Sequence, residues 1–385
     1  MPRVLIAAVL LAMLAACGAQ PGAGNSESAS PTQAPPNQAA PTAAEPAQAA
    51  PTAAEPTQAT AAPTLVVMTH DSFNISAEVI AAFEQQTGAK VELLPSGDTG
   101  SALNKAILSK GSPLADVFFG VDNTFLSRAL EAGIFEPYQS PGLQSVPERF
   151  RLDSTSQLTP IDYGYVAINY DRAFLADQSL TPPADLRELT KPEWKSNLVV
   201  QNPATSSPGL AFMLATIATF GESGDYTWLD FWKELRANDV LVSEGWEDAY
   251  YTHFSGSSGE GPRPLVVSYA TSPAAEVFFS EGKLSEPPTG NVLAGSFLQV
   301  EFAGVLQGAQ QPELARKFID FMLSTPFQED IPLQMFVYPV QPEAALPEVF
   351  QKFAEVPEQP AGVTPEQIEQ NRERWIEEWT QAVLR

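Results

Sequence analysis

Gly245-Trp246-Glu247-Asp248 sets a large aromatic ring beside two carboxylates. An electron-rich ring face next to negative charge suits a flat cation, held by stacking and cation–π attraction. A Trp so placed serves equally well as core packing. Thr205-Ser206-Ser207-Pro208-Gly209 is a hydroxyl-rich run that opens a helical pattern, with Ser207 reading as the N-cap and Pro208 as the first turn. Unpaired N–H groups and the helix dipole make such a place suitable for a phosphate or carboxylate, although an ordinary cap carries the same letters. Ser96-Gly97-Asp98-Thr99-Gly100-Ser101 has the same quality earlier in the chain.

Two other constellations weigh against chemistry. Tyr250-Tyr251 could offer phenolate ligands to iron, but a site needs more ligands, and the only histidines are His70 and His253. The pair reads as helix packing with one hydroxyl exposed. His70-Asp71-Ser72 has the letters of a catalytic triad. Neighbours on an extended segment point to opposite faces, so they do not form the nucleophile–base–orienter chain. There is no His cluster, P-loop or G-x-S-x-G elbow. The sequence predicts no catalytic residue, no metal site and no cofactor.

The elements that must position these residues follow from hydrophobic periodicity. Leu65–Thr69, Val91–Leu94 and Asp116–Gly120 read as buried strands, alternating with helices carrying Val79, Ile80 and Phe83, then Leu103, Ile107 and Leu108, then Leu126 and Leu130. The pattern restarts with strand Leu198–Val200, helices from about Leu210 to Phe220 and Trp228 to Ala237, and strand Leu265–Tyr269. Helices from Glu313 to Met322 and from Pro365 to Leu384, the latter capped by Thr364, close the chain. Strand alternating with helix indicates parallel β-α-β units and an α/β class, and the two blocks indicate two lobes. Ligands in such sheets gather at loops beyond the carboxyl ends of strands. Those loops are His70–Phe73, Ser96–Ser101 and Val121–Thr124, each polar and each with an aspartate.

Ahead of the first strand the composition changes. Arg3, the apolar run Val4–Leu14 and the small residues Ala15-Ala16 before Cys17 read as a signal peptide over 1–16. Leu14-Ala15-Ala16-Cys17 resembles a lipobox, which makes Cys17 the expected lipidation site. It is also the only cysteine, so no intramolecular disulfide is possible. Residues 17–63 are rich in Ala, Pro, Thr and Gln, with the near-repeat Pro41–Pro46 and Pro51–Pro56. They lack the apolar side chains needed to offset ordering entropy and read as a solvated tether. The folded part is 64–385. With 46 acidic against 21 basic residues the net charge is -25, which argues against nucleic acid and against a polybasic membrane surface.

From about Thr64 onward the chain resembles the thiamine-binding periplasmic proteins of ABC importers. The segments carrying the resemblance are Asp71-Ser72-Phe73, Ala115-Asp116-Val117 through Gly120-Val121-Asp122-Asn123, Asp162-Tyr163-Gly164-Tyr165 and Thr205–Leu210. Gly245–Tyr250, Ser268–Pro273, Leu298-Gln299-Val300-Glu301 and Tyr338-Pro339-Val340 continue it. The resemblance implies a two-lobed type 2 periplasmic-binding-protein fold with crossing hinge strands, the first lobe mainly 64–160 plus returning segments and the second mainly 166–265. Together with the lipobox-like run ending at Cys17, it implies a lipid-anchored, extracytoplasmic, monomeric binding protein that clamps thiamine or a thiamine phosphate and delivers it to an ABC permease. The positions matching the family's pocket are Asp98, Thr99, Ser101, Ser206, Trp246 and Tyr269, with Asp71, Asp122 and Asp162 at polar edges. Departures fall on aromatic positions: His70 and Ala275 stand where the family has Tyr, Phe336 where it has Trp, and Asn74-Ile75-Ser76 holds no Trp. The rival readings are another solute, such as iron(III) or a polyamine, and a secreted hydrolase or transferase on the same scaffold.

Overall fold

The first block folds as its periodicity dictates. In chain order come β1 (Thr64–Thr69), α1 (Ala77–Thr87), β2 (Lys90–Pro95), α2 (Thr99–Leu108), β3 (Val117–Asp122) and α3 (Leu126–Glu131). All six residues of β3 are buried, as a strand covered on both faces requires. The short β4 (Phe135–Glu136) follows, then β5 (Thr159–Asp171) and α4 (Arg172–Gln178). The second block is β6 (Leu198–Gln201), α5 (Ser207–Phe220), α6 (Trp228–Ala237), β7 (Leu241–Ser243), a π-helical turn at Asp248–His253, β8 (Leu265–Tyr269) and α7 (Ser272–Phe279). The chain ends with β9 (Thr289–Leu306), α8 (Pro312–Met322), α9 (Thr325–Gln334), β10 (Tyr338–Pro339), α10 (Glu348–Phe353) and α11 (Pro365–Val383).

This architecture comes from a computed structural model that describes residues 62–257 and 261–385. The expected signal peptide, Cys17 and residues 18–61 of the expected tether lie outside the described residues. Among the described residues, no helix is long and apolar enough to cross a membrane.

The strand order is β2-β1-β3-β9-β5-β8-β6-β7, with β10 on β5 and β4 on β9. β1 pairs in parallel with β2 and β3, and β6 in parallel with β7 and β8. Between these two parallel sets run β5 and β9, which are antiparallel to each other over nearly their whole length. The C-terminal part of β9 borders β3, and the C-terminal part of β5 borders β8. Each half of the sheet is thus tied to the other by the same two long strands.

Local sequence accounts for the helices that matter to the site. α5 is buried from Ser207 through Ile217, as expected of a helix that is apolar all round. Its N-cap is Ser206, one residue earlier than the pattern predicted, with Pro208 in the first turn. Thr227 and Asp230 form a reciprocal capping box on α6, and Thr364 and Gln367 do the same on α11.

Candidate ligand-binding site

The loops after β1 and β2 face the start of α5 and the Gly245–Asp248 segment across a cavity of about 1240 Å³. Asp71, Asp98, Thr99, Ser101, Trp246, Tyr269 and Phe336 line it; Asp122, Asp162 and Ser206 do not. The loop after β3, expected at the site, is likewise absent from the lining. Its Asn123 is committed to β9 instead, donating to the Leu298 carbonyl at 3.0 Å and accepting from the Val300 N–H at 2.9 Å.

Asp98 caps α2, and its carboxylate accepts from the Thr99 N–H at 2.7 Å. It also accepts from the Trp246 N–H at 2.9 Å and, more weakly, from the Ser207 N–H at 3.4 Å. One carboxylate therefore serves the starts of α2 and α5 together, satisfying amides that a helix leaves unpaired. Burial raises its pKa, and these donors act against the shift. Beside it, the Gly100 N–H donates to the Thr205 carbonyl at 2.9 Å. A Cβ on Gly100 would lie 2.8 Å from the carbonyl oxygens of Ala204 and Thr205, so only glycine permits this approach. Asp71 holds the loop after β2 by accepting from the Gly97 N–H at 2.8 Å.

The aromatic wall is built on the π-helical turn. The Trp246 ring stacks on Tyr250 with centroids 5.0 Å apart and an interplanar angle of 18°, and stands edge-on to Tyr251 and Tyr269. Its indole N–H donates to Ser268 Oγ at 2.9 Å, and the Tyr269 hydroxyl donates to Gln299 Oε1 at 3.1 Å. Tyr250 is buried and donates to Glu276 Oε1 at 2.7 Å, whereas Tyr251 is half exposed. The tyrosine pair thus packs as the sequence suggested. Among the described residues, no group of three or more His, Cys, Asp or Glu is arranged to hold a metal ion.

Beneath the cavity lies a row of acids that sequence reasoning only partly located. Glu301 of β9 is the register partner of Asp122 on β3 and of Asp162 on β5. All three are buried, and Glu301 reaches the cavity wall. Asp122 Oδ1 accepts from the Thr124 N–H, the Thr124 hydroxyl and the Phe125 N–H, so it organises the turn into α3. Burial pushes Asp122 up to about 6 and Asp162 up to about 7. Glu301 is driven well above the usual carboxylate range by burial and then by repulsion from Asp162, Asp122 and Asp98. His70 Nε2 lies 3.5 Å from Glu301, but burial holds this imidazole down at about 4 despite Asp71 nearby. Glu301 was visible in the sequence inside Leu298–Glu301. The missing signal was register, because nothing local says that Asp122, Glu301 and Asp162 become neighbours.

The lining carries a strong sign. Asp71, Asp98, Glu244, Glu247, Asp248 and Glu276 contribute to it, Glu301 joins them only once it has lost its proton, and among the described residues no Lys or Arg lines the cavity. Low-dielectric walls bearing one sign of charge focus the field on a ligand of the other sign.

Residues 112–360 match the model of the bacterial extracellular solute-binding protein family. The chain is also 35% identical to the thiamine-binding periplasmic protein of Salmonella typhimurium over 330 residues, covering 84% of this chain and 95% of that one. The chain belongs to this family of thiamine-binding periplasmic proteins. The Escherichia coli relative is 34% identical with the same coverage. A solved periplasmic thiamin binding protein superposes with a TM-score of 0.74 at 32% identity, covering 84% of this chain and 97% of that one. The mixed α/β architecture is therefore the periplasmic-binding-protein fold that the resemblance implied, and the family is one of binding proteins rather than enzymes.

Proposed function

We propose that this chain captures thiamine or a thiamine phosphate outside the cytoplasm and delivers it to an ABC permease. The observation that carries this reading is a stacked indole, Trp246 on Tyr250, in a cavity whose charged lining is acidic. An indole ring that lines the cavity offers a platform for a flat cation, and nearby carboxylates strengthen the attraction. The relatives in Salmonella typhimurium and Escherichia coli are thiamine-binding proteins, which points to the same ligand.

In this reading the two halves of the sheet are two lobes, the first mainly 64–160 with returning segments and the second mainly 166–265. β5 and β9 are the hinge between them. Asp98 and Gly100 fasten the lobes when they close, and a closed form presents itself to the permease. A few kcal/mol of differential affinity for the closed state is enough for such a switch. Cys17 carries the lipid, and the segment up to residue 63 spaces the monomeric domain from the membrane.

Asp98, Thr99 and Ser101 are assigned to the ligand's polar groups and Trp246, Tyr269 and Phe336 to its rings; Ser206, which is buried and does not reach the cavity, is given no contact with the ligand. Asp71 orders the rim; Asp122 and Asp162 act from beneath through the charge of the row. Calorimetric titration with thiamine, paired with mass spectrometry of ligand released from gently purified protein, tests the reading. Absence of binding heat together with a different released solute would replace it.

A further inference from the structure

One stripe of α7 forms part of the cavity wall. Ser272, Ala275, Glu276 and Phe279 all line it, at the spacing that puts residues on a single helical face. Ala275 brings no ring to this stripe; Phe279, one turn further along, does. Its side chain is 61% exposed although it has aromatic neighbours, with centroids 4.9 Å from Phe336 and 5.4 Å from Phe278. Phe336 is a fixed support: it is buried, and its carbonyl accepts a hydrogen bond from the Thr271 hydroxyl. Its φ of 55° lies in the left-handed region that a bulky residue rarely adopts. Strained residues persist where the surroundings over-determine them, and they cluster at ligand clamps. The same α7 stripe is joined to the Trp246 wall, because Glu276 accepts from Tyr250, on which Trp246 stacks.

We infer that Phe279 is a ligand-gripping residue, a second stacking surface that closes on one ring of the bound solute with Phe336 behind it. The inference rests on the thiamine reading above and adds a residue to it. The neighbouring Phe278 is also exposed, at 41%, but does not line the cavity, which makes it the control.

The test is calorimetric titration of thiamine into the wild-type protein and the variants Phe279→Ala, Phe279→Trp and Phe278→Ala, with melting curves on each. Loss of a stacking ring weakens binding by about tenfold or more. Phe279→Ala should show that loss, Phe279→Trp should bind close to wild type, and Phe278→Ala should be unchanged. Melting without ligand should barely move for Phe279→Ala, because that ring is mostly in solvent. Wild-type affinity in Phe279→Ala overturns the inference alone and would fit a ring that meets the permease instead. Equal losses in Phe279→Ala and Phe278→Ala overturn it too, since the effect would then belong to apolar surface in general. A wild-type protein that gives no heat with thiamine removes the ligand reading and this inference with it.

Discussion

The carboxylate of Asp98, at the start of α2, accepts the backbone N–H of Trp246 at 2.9 Å across 148 residues of sequence. The contact couples the residue proposed to hold the ligand's polar groups to the residue proposed to stack on its ring. It also joins the β1-β2-β3 half of the sheet to the β6-β7-β8 half. A ligand that orders one of these groups orders the other.

Asp98→Asn should separate capping from this bridging role. Asn caps a helix about as well as Asp, so α2 should survive. The amide has only one acceptor oxygen, so it cannot serve Thr99 and Trp246 from two oxygens as the carboxylate does. Hydrogen bonds to a charged acceptor are worth about 1.5–3 kcal/mol, and each step of roughly 1.4 kcal/mol is tenfold in affinity. Thiamine affinity should fall about ten- to a hundredfold, and small-angle scattering should show less compaction on adding ligand. Unchanged affinity and unchanged compaction would remove the bridging role.

Trp246→Ala should lose both affinity and some stability. The ring packs with Tyr250 in a buried cluster that includes Val199, Phe254 and Val266, and its indole is bonded to Ser268. Loss of the stack should weaken thiamine binding by about 1–3 kcal/mol. Trp246→Phe keeps a ring and loses the Ser268 bond, so it should recover much of the affinity. If Phe and Ala bind equally well, stacking is not what Trp246 contributes.

Cys17→Ala tests the proposed anchor. The variant should leave the membrane fraction for the soluble one while the purified folded domain binds thiamine as before. Retention on the membrane to the wild-type extent would place the anchor elsewhere.

Much of the frame was legible because the information was local. β1, β2, α5, α6 and α11 announce themselves through apolar periodicity, Pro208 and the cap residue Thr364. β5 and β9 do not. They run for 13 and 18 residues through Pro160, Gly164, Gly290 and Gly295, and they carry acids on a buried row. Such strands make sense only when paired with each other, which periodicity in one segment cannot reveal. The site divided the same way. Residues on loops after β1 and β2 reach the cavity as a parallel sheet predicts. Asp122 and Asp162 are polar residues at strand level, and the sequence could not say that they lie beneath the wall rather than at its edge.

The acid row makes binding and stability depend on pH in opposite directions. Asp162 and Asp122 hold protons in the folded state up to about 7 and about 6, and Glu301 is likewise raised well above the usual carboxylate range. In the unfolded chain all three ionise near 4. Between those limits the folded state binds more protons, so this part of the stability is fully present below about pH 4 and is lost as pH rises through the folded values. His70 opposes the trend, since it is neutral when folded down to about 4 and its contribution grows between about pH 4 and 6.5. It is a single group against several carboxyls, and Arg372 touches the row only through its attraction to Asp122. Stability without ligand should therefore fall from pH 5 to pH 7, by roughly 1.4 kcal/mol per pH unit for each net proton retained. A bound cation above the row favours the ionised carboxylates, so thiamine should displace protons and bind more tightly as pH rises from 6 to 8. Calorimetry in two buffers of different ionisation enthalpy counts the protons released. Asp162→Asn should reduce that count and flatten the rise in affinity. Binding heats that do not depend on the buffer would mean that the row keeps its protons with ligand bound.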